Sequence, residues 1–283
     1  MRSWCFIMDL LPWSLVLVSG LIHASWNLKV KQVENRALFL ALAYFSAGLV
    51  LLPVAAAAGS LLVPRSALIP VLLSAAAESV YVLALSKAYS LSDISFVYPI
   101  ARGSGPVWAT AAGIIFFAER LSTLGYLGIA IIIAGIIITS FKIGRGSAFS
   151  LFLSLLVGLF IGTYTSLDRL ALEFTSPYNL LFWKFFVAGI ILLITQSGRK
   201  PFISQVKNSL GMSFLAGVFI LSAYFLVVYA MQYSNLGYVA VGRESGIAFA
   251  CLFGVVFMKE KMDLRRISGV IVMFAGIIIL RFA

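Results

Sequence analysis

Charged side chains are scarce in this sequence. Asp, Glu, Lys and Arg together make up 11% of its 283 residues, whereas a soluble globular domain carries about 25%. Hydrophobic residues make up 62%, and the mean hydropathy is +1.06. Since a spanning helix needs about 20 apolar residues, this composition excludes a soluble domain of any size and predicts an integral membrane protein.

Cysteine and histidine are almost absent. The two cysteines, Cys5 and Cys251, cannot form the framework of bridges that stabilises small secreted proteins. There is one histidine, His23, and no cluster of metal-ligating residues, so we expect no metal and no cofactor. A serine elbow motif and long loops are also missing, which makes a membrane enzyme or a sensor the least favoured class.

Basic residues outnumber acidic residues by 21 to 10, but all except Arg102, Lys184 and Arg243 lie between the apolar runs or at their ends. Thirteen fall on one side of the predicted membrane topology and five on the other. This bias predicts a multi-pass protein of the cell (inner) membrane with both termini outside. The basic charge is therefore assigned to the cytoplasmic membrane face and not to a nucleic-acid partner.

Apolar runs bounded by charged or turn residues predict an all-α protein with ten transmembrane helices. The connections between them are short, so consecutive helices are expected to run antiparallel. The predicted ranges are 11–31, 37–58, 67–89, 94–117, 123–141, 148–168, 177–196, 210–231, 236–258 and 265–282.

A constant offset of 141 residues superposes the fourth and fifth predicted helices on the ninth and tenth. It aligns Arg102 with Arg243 and brings the string AGIII onto its second copy. The predicted repeat units are residues 1–143 and 144–283, each with five helices. Because an odd number of helices reverses the orientation of the second unit, we predict two inverted repeats, as in many secondary transporters.

Four charged residues, Glu78, Arg102, Arg243 and Glu244, lie well inside predicted helices. A charge at the helix centre costs about 2.5–3.5 kcal/mol unless it is paired or hydrated, so we expect a shared polar interior. Antiparallel third and fourth helices place Glu78 and Arg102 at similar depth, which predicts an ion pair between them. Lys184 lies nearer a helix end and is expected to extend towards the interface.

The stretch YPIARGSGPVW predicts a break in the fourth helix. Pro106 lacks the amide that would bond to the carbonyl of Arg102, and Gly103 and Gly105 lower the cost of bending. Non-helical backbone at membrane depth is tolerated where it lines a cavity. The second copy, VGRESG, has no proline, so its helix is expected to be straighter.

Polar and aromatic side chains at helical spacing surround these charges. Packing remains an alternative role for the aromatics, a hydrogen-bonded structural role for His23, and a structural strut for Arg102 and Arg243. Glu119 and Glu260 end the fourth and ninth helices and are candidates for a gate or a helix-end contact. The candidate substrate-binding residues are His23, Trp26, Asn27, Glu78, Tyr81, Tyr98, Arg102, Tyr164, Tyr224, Arg243 and Glu244.

Several of these stretches resemble the EamA family of the drug/metabolite transporter superfamily. They are HASWN, YPIARGSGPVWA, and AGIIFFAERLSTLGYLGIAIIIAGIII with its echo FGVVFMKEKMDLRRISGVIVMFAGIII. The resemblance covers essentially the whole chain. It implies alternating access about a central cavity lined by the first, third, fourth, sixth, eighth and ninth helices. Family members move amino acids, other small metabolites or drugs, often outward.

The sequence thus predicts a secondary active transporter, an exporter, for a small-molecule substrate such as an amino acid or an organic anion. Arg102 and Arg243 supply positive charge for the substrate, and Glu78 or Glu244 is the candidate carrier of a coupling proton. The alternative is efflux of cationic drugs, with the same two glutamates as binding charges and the aromatics as a cage. The oligomeric state is left open.

Overall fold

The computed structural model describes residues 9–30, 35–59, 61–92, 94–140, 148–197, 202–258 and 264–283. All regular elements in these ranges are α-helices. Their bounds agree with the predicted ones to within a few residues, except that the eighth helix begins earlier and the ninth is in two pieces. The helices are α1 (Leu10–Val30), α2 (Arg36–Ala57), α3 (Arg65–Leu91), α4 (Ile94–Phe116), α5 (Thr123–Ser140), α6 (Ala148–Ala171), α7 (Pro177–Ser197), α8 (Phe202–Ala230), α9 (Leu236–Gly242), α10 (Ser245–Met258) and α11 (Leu264–Arg281).

The helices expose apolar side chains that a soluble protein would bury. Ile115 is 71% exposed and Phe116 is 78% exposed. Within the described ranges, six segments with mean hydropathies of 1.3 to 2.2 are long and apolar enough to cross a membrane. The chain is therefore an all-helical, multi-pass membrane protein. The six segments are Ala37–Ala57, Arg65–Leu91, Ala148–Ala171, Pro177–Ser197, Ser209–Ala230 and Leu236–Phe253.

Glycines bring α5 and α11 into close contact. A Cβ atom added at Gly135 would lie 2.9 Å from the carbonyl oxygen of Gly269, and one at Gly276 would lie 3.0 Å from that of Gly128. These glycines therefore allow close helix packing, as their spacing predicts. Since Gly128 meets Gly276 while Gly135 meets Gly269, the two helices run antiparallel.

The crossing of α2 and α7 has the same design. A Cβ atom at Gly48 would lie 2.8 Å from the backbone nitrogen of Phe186, and Gly189 packs equally closely on the backbone of Phe45. The rings of Phe45 and Phe186 stack with their centroids 5.3 Å apart. Both the two phenylalanines and the two glycines are 141 residues apart in the chain. Residues that the 141-residue offset pairs in the sequence therefore meet across this crossing.

The remaining helix contacts enclose a polar interior. α3 and α4 pack against α6, whereas α8 and α10 pack against α1. The predicted repeat matches α1 with α6, α3 with α8, and α4 with α9 and α10, so these two sets of contacts are equivalent under it. Buried charged side chains from α3, α4, α6, α7 and the α9–α10 junction meet in this interior.

The predicted break in the fourth helix is wrong, because α4 is continuous through Gly103, Gly105 and Pro106. Gly105 serves helix packing instead of bending, since a Cβ atom there would lie 2.8 Å from the side chain of Ile161 on α6. This close contact with α6 supports an uninterrupted α4 despite the hydrogen bond that Pro106 cannot donate.

The interruption lies in the second copy of the motif. α9 ends at Gly242 and α10 begins at Ser245. Between them the amides of Glu244, Gly246 and Ile247 donate to carbonyls three residues earlier, at distances of 3.0, 3.2 and 2.9 Å. The expectation of a straighter second copy is therefore also wrong, and the backbone tightens where its two charged residues lie.

Candidate functional site

A fully enclosed ammonium group joins α3, α6, α7 and α8. Lys184 Nζ lies 2.6 Å from Asp168 Oδ2 and 2.8 Å from Glu78 Oε2. The hydroxyl groups of Tyr224 and Ser74 donate to Oδ2 and Oδ1 of Asp168, each at 2.5 Å. Lys184 and Asp168 have no exposed surface, and Glu78 retains 4%. We call these five residues the lysine cluster.

The lysine cluster corrects two sequence predictions. Lys184 does not extend towards the interface, because the close α2–α7 crossing turns this part of α7 towards α3 and α6. Glu78 pairs with Lys184 and not with Arg102. The partnership with Asp168 was not predicted either, although a lysine and an aspartate inside neighbouring spans both require a partner of opposite charge.

A second buried ion pair joins α4 to the junction of α9 and α10. Arg102 Nη2 lies 2.8 Å from Glu244 Oε2. Glu244 has no exposed surface and Arg102 retains 8%. Removing one partner of a buried ion pair costs about 3–5 kcal/mol, so this contact ties the two halves of the chain together.

Arg243 differs from the other two interior cations. Among the described residues, no carboxylate oxygen lies within the ion-pair limit of 4.0 Å from its side chain. Its Nη2 donates to the hydroxyl group of Tyr164 at 3.4 Å, and its Cζ lies 5.8 Å from the ring centroid of Tyr224. A partly buried guanidinium that contacts phenols in this way retains donors for a planar anion such as a carboxylate.

Two tyrosines lie between Lys184 and Arg243. The ring centroids of Tyr164 and Tyr224 are each 4.3 Å from Lys184 Nζ and are 6.2 Å from each other. Tyr81 adds a third ring, whose centroid is 5.9 Å from that of Tyr164. These rings pack against one another, which is the alternative role that the sequence analysis gives the aromatic residues. The rings of Tyr164 and Tyr224 also contact the interior charges.

His23 on α1 lies close enough to Arg102 and Arg243 to interact electrostatically with both guanidinium groups. The side chains of Trp26, Asn27 and Tyr98 lie outside the described part of the structure. Substrate binding by the candidates remains a prediction. The candidates that the structure brings together are His23, Glu78, Tyr81, Arg102, Tyr164, Tyr224, Arg243 and Glu244.

The interior charges balance in total but not locally. The lysine cluster has two carboxylates for one ammonium group, whereas Arg243 is a cation without a carboxylate partner among the described residues. The interior therefore has an acidic end and a basic end, with the tyrosine pair between them. The three acidic residues are Glu78, Asp168 and Glu244, and the three basic residues are Arg102, Lys184 and Arg243.

Glu119 makes a helix-end contact outside the spans. Its Oε1 accepts a hydrogen bond from the amide of Leu236, at the start of α9, at 2.7 Å. The amide of Ser122 donates to the hydroxyl of Tyr238 at 3.1 Å. Burial raises the pKa of the Glu119 carboxyl, and the amides at the start of α9 partly lower it again. We call these two hydrogen bonds the α4–α9 latch; its predicted counterpart, Glu260, lies outside the described residues.

The described helices form a multi-pass fold with paired charges around a polar interior, and the comparisons with known proteins relate this fold to membrane transporters. Residues 148–282 match the EamA-like transporter family, which confirms the family resemblance for that part of the chain. A solved crystal structure of a protein matches this fold with a TM-score of 0.78 and 14% sequence identity. That alignment covers 95% of this chain and 94% of the other. At this sequence identity it shows that the two folds are similar and nothing about function.

Two kinds of curated relatives are transporters by name. The chain is 24% identical to an uncharacterized transporter of Archaeoglobus fulgidus over 215 residues, which are 74% of this chain and 75% of the relative. Over 66 residues it is 41% identical to the spermidine export protein MdtI of Shigella flexneri and 39% identical to that of Escherichia coli. These two alignments span 23% of this chain and 61% of MdtI.

Replacement of Lys184 by methionine should destabilise the protein strongly. The variant leaves Glu78 and Asp168 buried without their cation, which costs about 3–5 kcal/mol. Thermal unfolding of the detergent-purified chain measures this loss. The additional change Asp168→Asn should recover part of the stability, because it removes a buried carboxylate that has lost its cation.

The matched control is Lys87→Met, which removes an exposed lysine of α3 and should change stability little. Equal melting temperatures for Lys184→Met and Lys87→Met would contradict the structural role assigned to the lysine cluster.

Proposed function

We propose that this protein is a secondary active transporter that exports small metabolites bearing a carboxylate, such as amino acids or organic anions, across the cytoplasmic membrane. The observation that carries this proposal is Arg243, the interior cation that contacts tyrosines instead of a carboxylate. A hydrogen bond to a charged group contributes about 1.5–3 kcal/mol, so a substrate carboxylate at Arg243 gains both orientation and affinity.

The acidic end of the interior supports an amino acid as one such substrate. Its carboxylate would contact Arg243, and its ammonium group would lie towards Glu78, where carboxylates exceed ammonium groups. Tyr164 and Tyr224 would flank the molecule. An organic anion would use the basic end alone.

Export of polyamines or cationic drugs is the second candidate. The similarity to a spermidine export protein favours it. Against it, the described interior has one carboxylate in excess, so a polyamine with several ammonium groups would have to displace Lys184 or Arg102 from the others. Neither a polyamine nor a cationic drug offers an anionic group to Arg243. A substrate carboxylate at Arg243 displaces no partner among the described residues, and a single ammonium group matches the one excess carboxylate, so we prefer the carboxylate proposal.

We also propose that residues 1–143 and 144–283 are inverted repeats of five spans each, with both termini outside. The antiparallel α2–α7 and α5–α11 crossings support this architecture, because each pairs a helix with its own counterpart at exchanged positions. A two-fold axis that relates antiparallel helices runs perpendicular to them and hence in the membrane plane. An axis along the membrane normal would make these pairs parallel.

Alternating access follows from this proposal. The α4–α9 latch closes one end of the interior by joining the end of α4 to the start of α9. Opening of this end requires that Glu119 release the amide of Leu236. The latch is thus the proposed gate on this side of the membrane.

Replacement of Arg243 by glutamine should raise the KM for transport of a substrate that bears a carboxylate. Loss of a charge-assisted hydrogen bond of about 1.5–3 kcal/mol corresponds to an increase in KM of about ten- to a hundredfold. Uptake of radiolabelled amino acids and organic acids by proteoliposomes measures this change. Arg65→Gln, at an exposed position of α3, is the control. An unchanged KM in the Arg243 variant would contradict the assignment.

Replacement of Glu119 by alanine should open the α4–α9 latch, because the amide of Leu236 loses its acceptor. A reporter cysteine at Thr110, which faces α9, would then react several-fold faster with a water-soluble maleimide in a chain whose Cys5 and Cys251 are serine. Glu119→Gln retains an acceptor oxygen and is the matched control. Equal labelling rates for the alanine and glutamine variants would argue against a gating role.

A further inference from the structure

We propose that Glu78 is the proton-binding site of this transporter and that Asp168 is the permanently ionised partner of Lys184. The role in transport rests on the proposed function. The assignment of the proton rests on the geometry of the lysine cluster alone. It selects one of the two glutamates that the sequence left as alternatives.

The composition of the cluster calls for a proton. Two carboxylates lie within 2.8 Å of one buried ammonium group, so the fully ionised cluster carries an excess negative charge. An uncompensated buried ion costs several kcal/mol. Carboxylates that share a site rarely ionise together, and a single bound proton removes the excess charge.

The donors around the two carboxylates determine which one accepts the proton. Asp168 accepts from the ammonium group of Lys184 and from the hydroxyl groups of Tyr224 and Ser74. Three donors stabilise its ionised form. Glu78 contacts Lys184 and hydrogen-bonds to Tyr44, and it alone of the two carboxylates retains exposed surface, 4%. Glu78 is thus less well stabilised as an anion and more accessible to a proton from water.

The other groups that face Glu78 do not change this balance. The helices around it present phenols, which are neutral at ordinary pH, together with Lys184 and Asp168 of the cluster and Arg102, whose partner is Glu244. Glu244 itself has the reverse surroundings, since it pairs with Arg102 and is adjacent to Arg243. The phenols are Tyr44 on α2, Tyr81 on α3, Tyr164 on α6 and Tyr224 on α8.

A proton at this position couples directly to substrate binding. A proton on Glu78 and a positively charged group of the substrate satisfy the same excess charge, so the binding of one disfavours the other. Release of the proton leaves Glu78 negatively charged, so that it can bind the ammonium group of a substrate. Return of the proton neutralises Glu78 and releases the ammonium group. The site therefore exchanges protons for substrates that carry an ammonium group.

Infrared spectroscopy of the full chain in lipid nanodiscs tests the proton directly, without substrate. Protonated carboxyls have a carbonyl stretching band that ionised carboxylates lack. We expect a band equivalent to one buried protonated carboxyl at pH 7 in the wild type and in Glu244→Gln. Glu78→Gln should abolish it.

Asp168→Asn is a second, independent variant in case Glu78→Gln does not fold. It should also abolish the band, because Glu78 then becomes the one carboxylate within ion-pair distance of Lys184 and ionises. A wild-type spectrum without the band would overturn the proposal. So would a band that survives Glu78→Gln or Asp168→Asn, or one that is lost in Glu244→Gln.

The infrared measurement tests the proton on Glu78, and the transport assay tests the proposed function, so one claim can be wrong while the other is right. A chain that shows the band at Glu78 but moves no amino acid or organic acid would overturn the proposed function alone. A chain that moves these substrates without the band would overturn the proton assignment alone.

Discussion

The buried ammonium group of Lys184 is the constraint on which the interior depends. It has no contact with solvent, and an isolated charge at this depth would cost several kcal/mol. Its two carboxylates come from α3 and α6, and its tyrosine partner from α8. Four helices are therefore held in one arrangement by a single side chain. The close α2–α7 crossing, which glycines make possible, brings Lys184 to this position.

The electrostatics of the site follow from that constraint. Since Glu78 and Asp168 are engaged by Lys184, and Glu244 is engaged by Arg102, Arg243 is the interior cation without a carboxylate partner among the described residues. It is therefore the cation that we propose binds the substrate. The tyrosine pair keeps this guanidinium apart from the acidic end. The interior thus has a basic contact at Arg243 and an acidic contact at Glu78, with the rings of Tyr164 and Tyr224 between them. We propose that this arrangement binds a small molecule that carries a carboxylate and, in the case of an amino acid, an ammonium group.

The sequence predicts the local features well and the helix partners poorly. The length and hydrophobicity of a span are properties of the span itself, so the apolar runs correspond to the observed helices. Glu78 and Arg102 are recognisable as buried charges for the same reason. The partner of each buried charge depends on which face of its helix is turned inward. Two residues at the same predicted depth in the membrane can therefore face different neighbours. The pairing of Asp168 with Lys184 cannot be predicted from the sequence for that reason.

The helix break illustrates the same limit. Pro106 and two glycines favour a break at Arg102, yet Gly105 packs against Ile161 and α4 remains continuous. The tighter turn occurs at Arg243, where no proline is present. Backbone preference near a proline is local, whereas the packing that overrides it is supplied by α6. The two copies of the motif are therefore unequal at the arginines, in agreement with their different partners.

Transport by the reconstituted protein is the most direct test of the central claim that the interior binds carboxylates. The chain would be placed in liposomes that hold a pH-sensitive dye, under an imposed pH gradient, and exposed in turn to amino acids, organic acids and spermidine. The account predicts substrate-dependent proton flux with the amino acids. Flux with spermidine, and none with either class of carboxylate, would contradict it.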